Sequence, residues 1–175
     1  MFKKIRKISL IIVITILLMT ACATQAPEPT AEEQVEAEPG EGEPIKIGFI
    51  SAFTGVFSSF GMYQREGAEL ALEEFDYEVS GRPIEVIYED DQLDNELAIT
   101  KAKKLVEQDQ VDILTGLVSG DEGLTVQNYV KDKGIPLVPM YSASEDNTMR
   151  EFYPLVVRQT WTGAQSQDVF GYWLA

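Results

Sequence analysis

The sequence of 175 residues contains no histidine and a single cysteine, Cys22. Without histidine the chain has neither a Ser-His-Asp triad nor a Cys-His pair, and it has no histidine-based metal site. A lone cysteine cannot form a disulfide within the chain. The GxGxxG and GxxxxGK[ST] patterns are also missing, so the chain lacks the usual cradles for dinucleotide and nucleoside triphosphate phosphates. These particular types of catalytic and nucleotide-binding site are therefore not expected.

Basic residues are scarce. The chain has 14 Lys and Arg against 29 Asp and Glu, which gives a formal net charge of −15. A surface of this sign repels phosphate groups. Nucleic acid is therefore not expected as a partner, and neither are anionic lipid headgroups.

An apolar run long enough to span a membrane is also missing. Four basic residues within the first seven precede an apolar run from Ile8 to Met19, which only Ser9 and Thr15 interrupt. As a helix, this run of about 12 residues covers roughly 18 Å, whereas the hydrocarbon core is roughly 30 Å thick. The pattern predicts a signal peptide over residues 1–21.

The segment that follows, LMTAC at 18–22, resembles the bacterial lipobox, in which small residues precede a cysteine that is acylated. The alternative is an ordinary secretory cleavage site beside an unrelated cysteine. Two or three acyl chains anchor a protein stably, because each buried CH₂ contributes about 0.8 kcal/mol. We expect lipidation at Cys22 and a location on the outer face of the cell membrane, or its periplasmic side.

Residues 22–44 contain seven Glu and four Pro, with no Lys or Arg and only Val35 as a larger apolar residue. Such a segment cannot bury enough apolar surface to offset the entropy lost on folding. It is predicted to be a disordered tether. The composition becomes globular at Ile45, so the folded domain is expected over residues 45–175.

Strand-like and helix-like periods alternate from Ile45 onward. Two-residue alternation and short apolar runs predict strands at 45–50, 82–89, 111–114, 135–140 and 154–157. The helical period predicts helices at 62–78, from Asn95, from an N-cap at Ser119 to near Gly134, and at 162–174. This order indicates an α/β fold, a doubly wound parallel sheet with helices on both faces.

Sheets of this kind bind ligands at the carboxyl ends of their strands. In this sequence those ends are the loops at 51–61, 89–95, 116–121 and 141–149. Any binding site is expected there.

Two groups of acids fall in these loops. Glu89-Asp90-Asp91 could be a pair of catalytic carboxylates, but we interpret it as a solvated turn that caps the next helix. Asp121 and Glu122 could bind a cation, but no DxDxDG loop is present. We expect both side chains to point to solvent, and we expect no metal or other cofactor.

Four segments, taken in order, resemble the leucine/isoleucine/valine-type substrate-binding proteins of ABC importers. They are IKIGFISAFTGVFSSFGMYQREGAELALEEF, IEVIYEDDQLDNELAITKAKKLVEQDQVDILTG, GLVSGDEGLTVQNYVKDKGIPLVPMYSAS and PLVVRQTWTGAQSQDVFGYWLA. The resemblance implies the N-terminal lobe of a type I periplasmic-binding-protein fold, with the second lobe missing. The last helix also lacks a stop signal before Ala175. We therefore expect the sequence to be a fragment of a longer chain.

The resemblance also implies a ligand-binding site. Ser119, at the start of the third helix, would take the ligand's carboxylate, with Gly120 beside it. Ser142 and Ser144 would supply a backbone carbonyl and a hydroxyl to an ammonium group. Phe60 would pack on the ligand.

Two departures from the family pattern concern the ligand's identity. Gly120 replaces a second small hydroxyl residue, and Tyr141 replaces a small residue before the Ser142 loop. An amino acid is the expected ligand, with amides, urea, small organic acids and aromatic acids as alternatives. Each serine also has a plain structural explanation, as a helix cap or a loop residue.

The function implied is a lipid-anchored receptor that captures a branched-chain or other small amino acid, without catalysis, for an ABC permease and its ATPase. Two alternatives remain: the sensing domain of a signalling receptor, and an exported enzyme.

Overall fold

A computed structural model of the chain describes residues 42–174. The signal peptide predicted at 1–21, the lipidation site at Cys22 and most of the predicted tether therefore lie outside the described residues. The described strands are β1 (Ile45–Ser51), β2 (Glu78–Val79), β3 (Arg82–Asp90), β4 (Ile113–Gly116) and β5 (Leu137–Pro139). The described helices are α1 (Ser58–Glu74), α2 (Asn95–Glu107), α3 (Gly120–Lys133) and α4 (Gly163–Leu174).

The strands form one sheet in the order β2-β3-β1-β4-β5. β1 lies at its centre and pairs in parallel with both β3 and β4, and β4 pairs in parallel with β5. Parallel neighbours end at the same edge of a sheet, so four carboxyl ends meet there. The predicted α/β class and doubly wound parallel sheet are confirmed.

The composition of the sheet differs from the prediction at one position. The strand predicted at 154–157 makes only a single bridge, from Val156 to Leu137. The chain turns away directly afterwards, where Arg158 donates to the Ser144 carbonyl at 2.7 Å. The fifth strand is instead β2, a two-residue strand that pairs antiparallel with β3.

The core lies between the sheet and the helix pair α2 and α3. The predicted stripe of α2 is confirmed, since Ala98, Ala102 and Leu105 are fully buried. Val126 and Val130 of α3 are fully buried against the same cluster. Burial of each such aliphatic side chain contributes about 1.5–3 kcal/mol.

Helix α1 is largely exposed, with Gly61 as its one buried residue, and it differs more from the prediction. It begins at Ser58 and ends at Glu74, four residues earlier at each end than expected. Of the apolar stripe predicted there, Phe75 is 64% exposed and Val79 is 44% exposed. The sequence period of a helix identifies its apolar side, but it does not determine whether other parts of the protein bury that side.

No helix among residues 42–174 has both the length and the apolar character needed to cross a membrane.

Gly116 ends β4 and allows the turn into α3. Its φ is +99°, and a Cβ atom there would overlap the carbonyl oxygen of Ile50. The same carbonyl accepts a hydrogen bond from Leu117 N at 2.6 Å. A side chain at this position would therefore push the start of α3 away from β1.

We predict that Gly116→Ala lowers the free energy of unfolding by about 2 kcal/mol or more, because it adds both backbone strain and overlap. Urea unfolding measures the change. Gly67→Ala is the matched control, since Gly67 lies in α1 with open space around it. That variant should gain about 0.5–1 kcal/mol. Equal stability of the two variants would contradict the conclusion that the turn into α3 requires a glycine at position 116.

Candidate functional site

The loop between β1 and α1 is held by Asp90, the last residue of β3. Its carboxylate accepts hydrogen bonds from Phe53 N at 2.9 Å and from the Thr54 hydroxyl at 2.6 Å. Burial opposes ionisation of Asp90, but its hydrogen bonds from Thr54, Gln92 and Phe53 outweigh that effect and lower its pKa. An ionised Asp90 thus fixes the loop that leads to Phe60.

The N-terminus of α3 is the most polar feature of this edge. Ser119 is its N-cap, as predicted, and its hydroxyl accepts from Glu122 N at 3.1 Å. The Glu122 carboxylate in turn accepts from Ser119 N at 2.9 Å, which completes a capping box. The N–H groups of Gly120 and Asp121 have no intrahelical acceptor, as in the first turn of any helix. They can bind an anion at the positive end of the helix dipole.

Gln64 of α1 connects two neighbouring strand ends. Its side-chain oxygen accepts from the buried Ser51 hydroxyl at 2.7 Å, and its amide donates to the Leu117 carbonyl at 3.4 Å. Leu117 has a φ of +63°, a strained conformation for a leucine. The turn before Ser119 is therefore fixed from both sides.

Gly120 and Ser144 lie side by side. A Cβ atom on Gly120 would come 3.1 Å from the Cβ of Ser144. Both residues are partly buried. The structure thus brings the loop after β5 onto the first residue of α3, and a larger residue in place of Gly120 would displace Ser144.

The side chain of Ser142 points into the protein. It is fully buried, and its hydroxyl donates to Asn147 Oδ1 at 2.8 Å. The Ser142 hydroxyl is therefore engaged inside the protein, and the role that the resemblance implies for Ser142 would fall to its backbone carbonyl. Close packing against Gly123 of α3 directs the side chain inward.

A buried relay of hydrogen bonds continues from Ser142. Asn147 Nδ2 donates to Gln127 Oε1 at 2.9 Å, and Gln127 Nε2 donates to the Glu151 carbonyl at 2.6 Å. Ser142, Asn147 and Gln127 are all 0% exposed. The relay joins the loop after β5 to α3. The sequence analysis missed it, although a glutamine next to Val126 in the buried stripe was a signal.

An aromatic cluster borders the same edge. Phe60 lies in the first turn of α1, not in the preceding loop, and its ring centroid is 5.5 Å from that of Tyr141. Phe57 stands 6.1 Å from Phe60 on the other side. Phe60 and Tyr141 are 39% and 42% exposed. They present apolar surface to any molecule at this edge.

Two acids expected in solvent are buried. Asp91 and Glu122 are each 0% exposed, whereas Asp121 is exposed as predicted. Glu122 is drawn inward by its capping bond to Ser119. Asp91 is enclosed because its N–H pairs with the Ser51 carbonyl and its carboxylate accepts from Leu93 N.

Burial has a direct consequence for both acids. It raises the pKa of Asp91 to about 7, with further contributions from the charges of Glu122 and Asp90. Burial also raises the pKa of Glu122. Among residues 42–174, no three His, Cys, Asp or Glu side chains are grouped so that they could hold a metal ion.

The edge therefore combines an anion-binding helix N-terminus at Ser119 and Gly120, the adjoining Ser144 and the rings of Phe60 and Tyr141. This arrangement suits a small molecule that carries a carboxylate and an apolar body. A family model described as periplasmic binding protein matches residues 44–175. The chain belongs to this family.

Similar proteins agree with this assignment. The chain is 28% identical over 123 residues to Leu/Ile/Val-binding protein homolog 6 of Brucella abortus. The matched region covers 70% of this chain and 31% of that protein. The chain also resembles a solute-binding protein of an ABC transporter from Rhodopseudomonas palustris, solved with 3,4-dihydroxybenzoic acid. That match has a TM-score of 0.69 and 26% identity, and it covers 74% of this chain and 35% of the other.

The leucine-binding protein LivK of Thermotoga maritima shares the fold, with a TM-score of 0.67 and 24% identity over 73% of this chain and 37% of LivK. The chain thus spans about a third of the length of the relatives it matches. The resemblance inferred from the sequence is confirmed. The family is one of binding proteins, in agreement with the expectation that the chain is not an enzyme.

We predict that Asn147→Ala lowers the free energy of unfolding by about 2–3 kcal/mol, because it leaves the Ser142 hydroxyl and Gln127 Oε1 buried without their hydrogen-bond partner. Thermal and urea unfolding measure the loss. The neighbouring Asp146→Ala is the control, since its ion pair with Arg150 is at the surface. It should cost less than about 1 kcal/mol. Equal losses would show that the relay does not hold the loop.

Proposed function

We propose that the protein is an extracytoplasmic receptor that captures a small carboxylate-bearing solute and delivers it to an ABC permease. The observation that carries the proposal is the N-terminus of α3, where Ser119 and Gly120 lie at the carboxyl edge of the sheet. A helix N-terminus favours an anion by about 0.3–1 kcal/mol at the surface and up to about 2 kcal/mol when partly buried. The solute's carboxylate takes this position.

The ligand's body packs on Phe60 and Tyr141, whose rings flank the same edge. Two classes of solute fit a carboxylate next to an apolar body: a branched-chain amino acid and an aromatic acid. The Brucella relative is named for leucine, isoleucine and valine, and the Rhodopseudomonas protein was solved with a benzoic acid derivative. Ser144 lies within the site and provides polar groups for a second substituent.

The receptor is anchored by lipid on Cys22 and connected through the acidic tether. This part of the proposal rests on the lipobox-like LMTAC segment and on the seven Glu of the tether. The anchor keeps the receptor near its permease and raises the effective concentration of one for the other.

Binding is tested on the protein expressed from its complete reading frame, with L-isoleucine and benzoate as probes. A bound probe at about 100 Kd should stabilise the fold by about 2.7 kcal/mol. The proposal is contradicted if neither probe, at millimolar concentration, raises the melting temperature.

We predict that Ser119→Asp weakens binding at least about tenfold, because it places a negative charge against the ligand's carboxylate. Aspartate is also a good N-cap, so the helix keeps its first turn. Calorimetry measures the affinity. Ser80→Asp adds the same charge in the turn before β3, at the opposite edge of the sheet, and should leave the affinity unchanged. Equal affinity of both variants would place the ligand elsewhere.

We predict that Cys22→Ser releases the protein from the membrane, because serine lacks the thiol that would carry the lipid. Cell fractionation and labelling with radioactive palmitate report the change. Thr20→Ser, which keeps a small residue before the cysteine, is the control and should stay in the membrane fraction. A Cys22→Ser protein that still sediments with membranes would refute lipid anchoring.

A further inference from the structure

Two buried carboxylates, Asp91 and Glu122, lie close enough for the charge of Glu122 to raise the pKa of Asp91, and Glu122 belongs to the first turn of α3 at the proposed anion site. Asp91 Oδ1 accepts from Leu93 N at 3.0 Å, and Glu122 Oε2 accepts from Ser119 N at 2.9 Å. Asp91 Oδ2 and Glu122 Oε1 have no hydrogen-bond partner among the described residues, and both residues are 0% exposed. A buried carboxylate whose oxygen lacks a hydrogen-bond partner requires a compensating charge or a proton.

The strand period places Asp91 on the face that α2 and α3 cover. Glu89, two residues earlier, points to that face, because its carboxylate pairs with Lys101 and Lys104 of α2. Alternate residues share a face, so Asp91 follows Glu89 toward the helices. The first turn of α3, which contains Glu122, lies over the same face.

Within the described range 42–174, the charged neighbours that act on Asp91 and Glu122 are acids. Asp90 belongs to the end of β3 and Asp94 caps α2, and both add negative charge near the pair. Asp121 of α3 is exposed. The two lysines of α2 on this face, Lys101 and Lys104, are engaged by Glu89, and Lys104 also pairs with Asp109.

A proton is therefore the simplest compensation. In agreement, burial raises the pKa of Asp91 to about 7. Burial raises the pKa of both acids, and because the pKa of Asp91 reaches about 7, the proton held near neutrality is assigned to Asp91. The pair is poised to gain or lose one proton within the physiological range.

The position of Glu122 connects this proton to the ligand. Glu122 lies in the first turn of α3 and is bonded to Ser119, so its charge opposes any anion bound at the same helix N-terminus. A ligand carboxylate adds a further negative charge there. By linkage, an added anion favours the protonated form of the acids near it, and protonation in turn favours the anion.

We propose that the protein takes up its ligand's carboxylate together with a proton, which the Asp91–Glu122 pair receives. This inference rests on the proposed function, because it places the ligand at Ser119. The affinity is then greatest below neutral pH and falls as the pH rises through neutrality. Uptake of one proton per ligand corresponds to a Kd that increases up to tenfold per pH unit.

The test uses the protein expressed from its complete reading frame, with L-isoleucine and benzoate as probes. Titration calorimetry at pH 6, 7 and 8, in buffers of different ionisation enthalpy, gives both Kd and the number of protons taken up. We expect net proton uptake at pH 7 to 8 and a Kd that rises across this range. The ionisation states of both probes change little over it, so the proton belongs to the protein.

Two variants locate the proton. Asp91→Asn removes the titrating group with little change of shape, so its affinity should no longer depend on pH. Glu122→Gln can keep the capping box, since glutamine also serves at that position, and should reduce the proton uptake. Asp121→Asn is the matched control, because it removes an exposed charge from the same turn and should keep the full pH slope.

The outcomes separate this inference from the proposed function. Binding without proton uptake, or an unchanged pH slope in Asp91→Asn, would overturn the coupling alone. Failure of both probes to bind at any pH would contradict both proposals.

Discussion

The central position of β1 is the constraint on which the other features of this lobe depend. Because β1 pairs in parallel with β3 and β4, Ser51, Asp91 and Gly116 arrive at one edge of the sheet. The Ile50 carbonyl accepts a hydrogen bond from Leu117 N at 2.6 Å. This close approach requires a glycine at position 116 and a strained backbone at Leu117. This turn places Ser119 where the helix dipole faces the edge.

The carboxyl edge of the sheet carries both positive and negative electrostatic features. The N-terminus of α3 favours an anion, while the carboxylates of Asp91 and Glu122 are buried near it, each with one oxygen that has no hydrogen-bond partner among residues 42–174. Glu122 completes the capping box of α3, but its buried charge opposes an anion at the same helix N-terminus, and the charge of Asp91 lies close to it. Their presence is understandable if the protonation state of the pair accompanies the occupancy of the site, since binding and protonation must then favour each other equally.

Local patterns predicted the parts of the fold that depend on local sequence. The stripe of α2 and the N-cap at Ser119 were correct, because helical period and capping are properties of neighbouring residues. The burial of Asp91 and Ser142 was not predictable in this way, because it depends on partners far away in sequence. Gln127 and Asn147 are 20 residues apart, and only the fold places them in contact.

The most direct measurement is a crystal structure of the protein from its complete reading frame, grown with saturating L-isoleucine or benzoate. The account predicts that a carboxylate oxygen of the ligand lies about 2.7–3.2 Å from the Ser119 hydroxyl or from the N–H groups of Gly120 and Asp121. The ligand's body should contact Phe60 or Tyr141. A ligand whose carboxylate binds away from the N-terminus of α3 would contradict it.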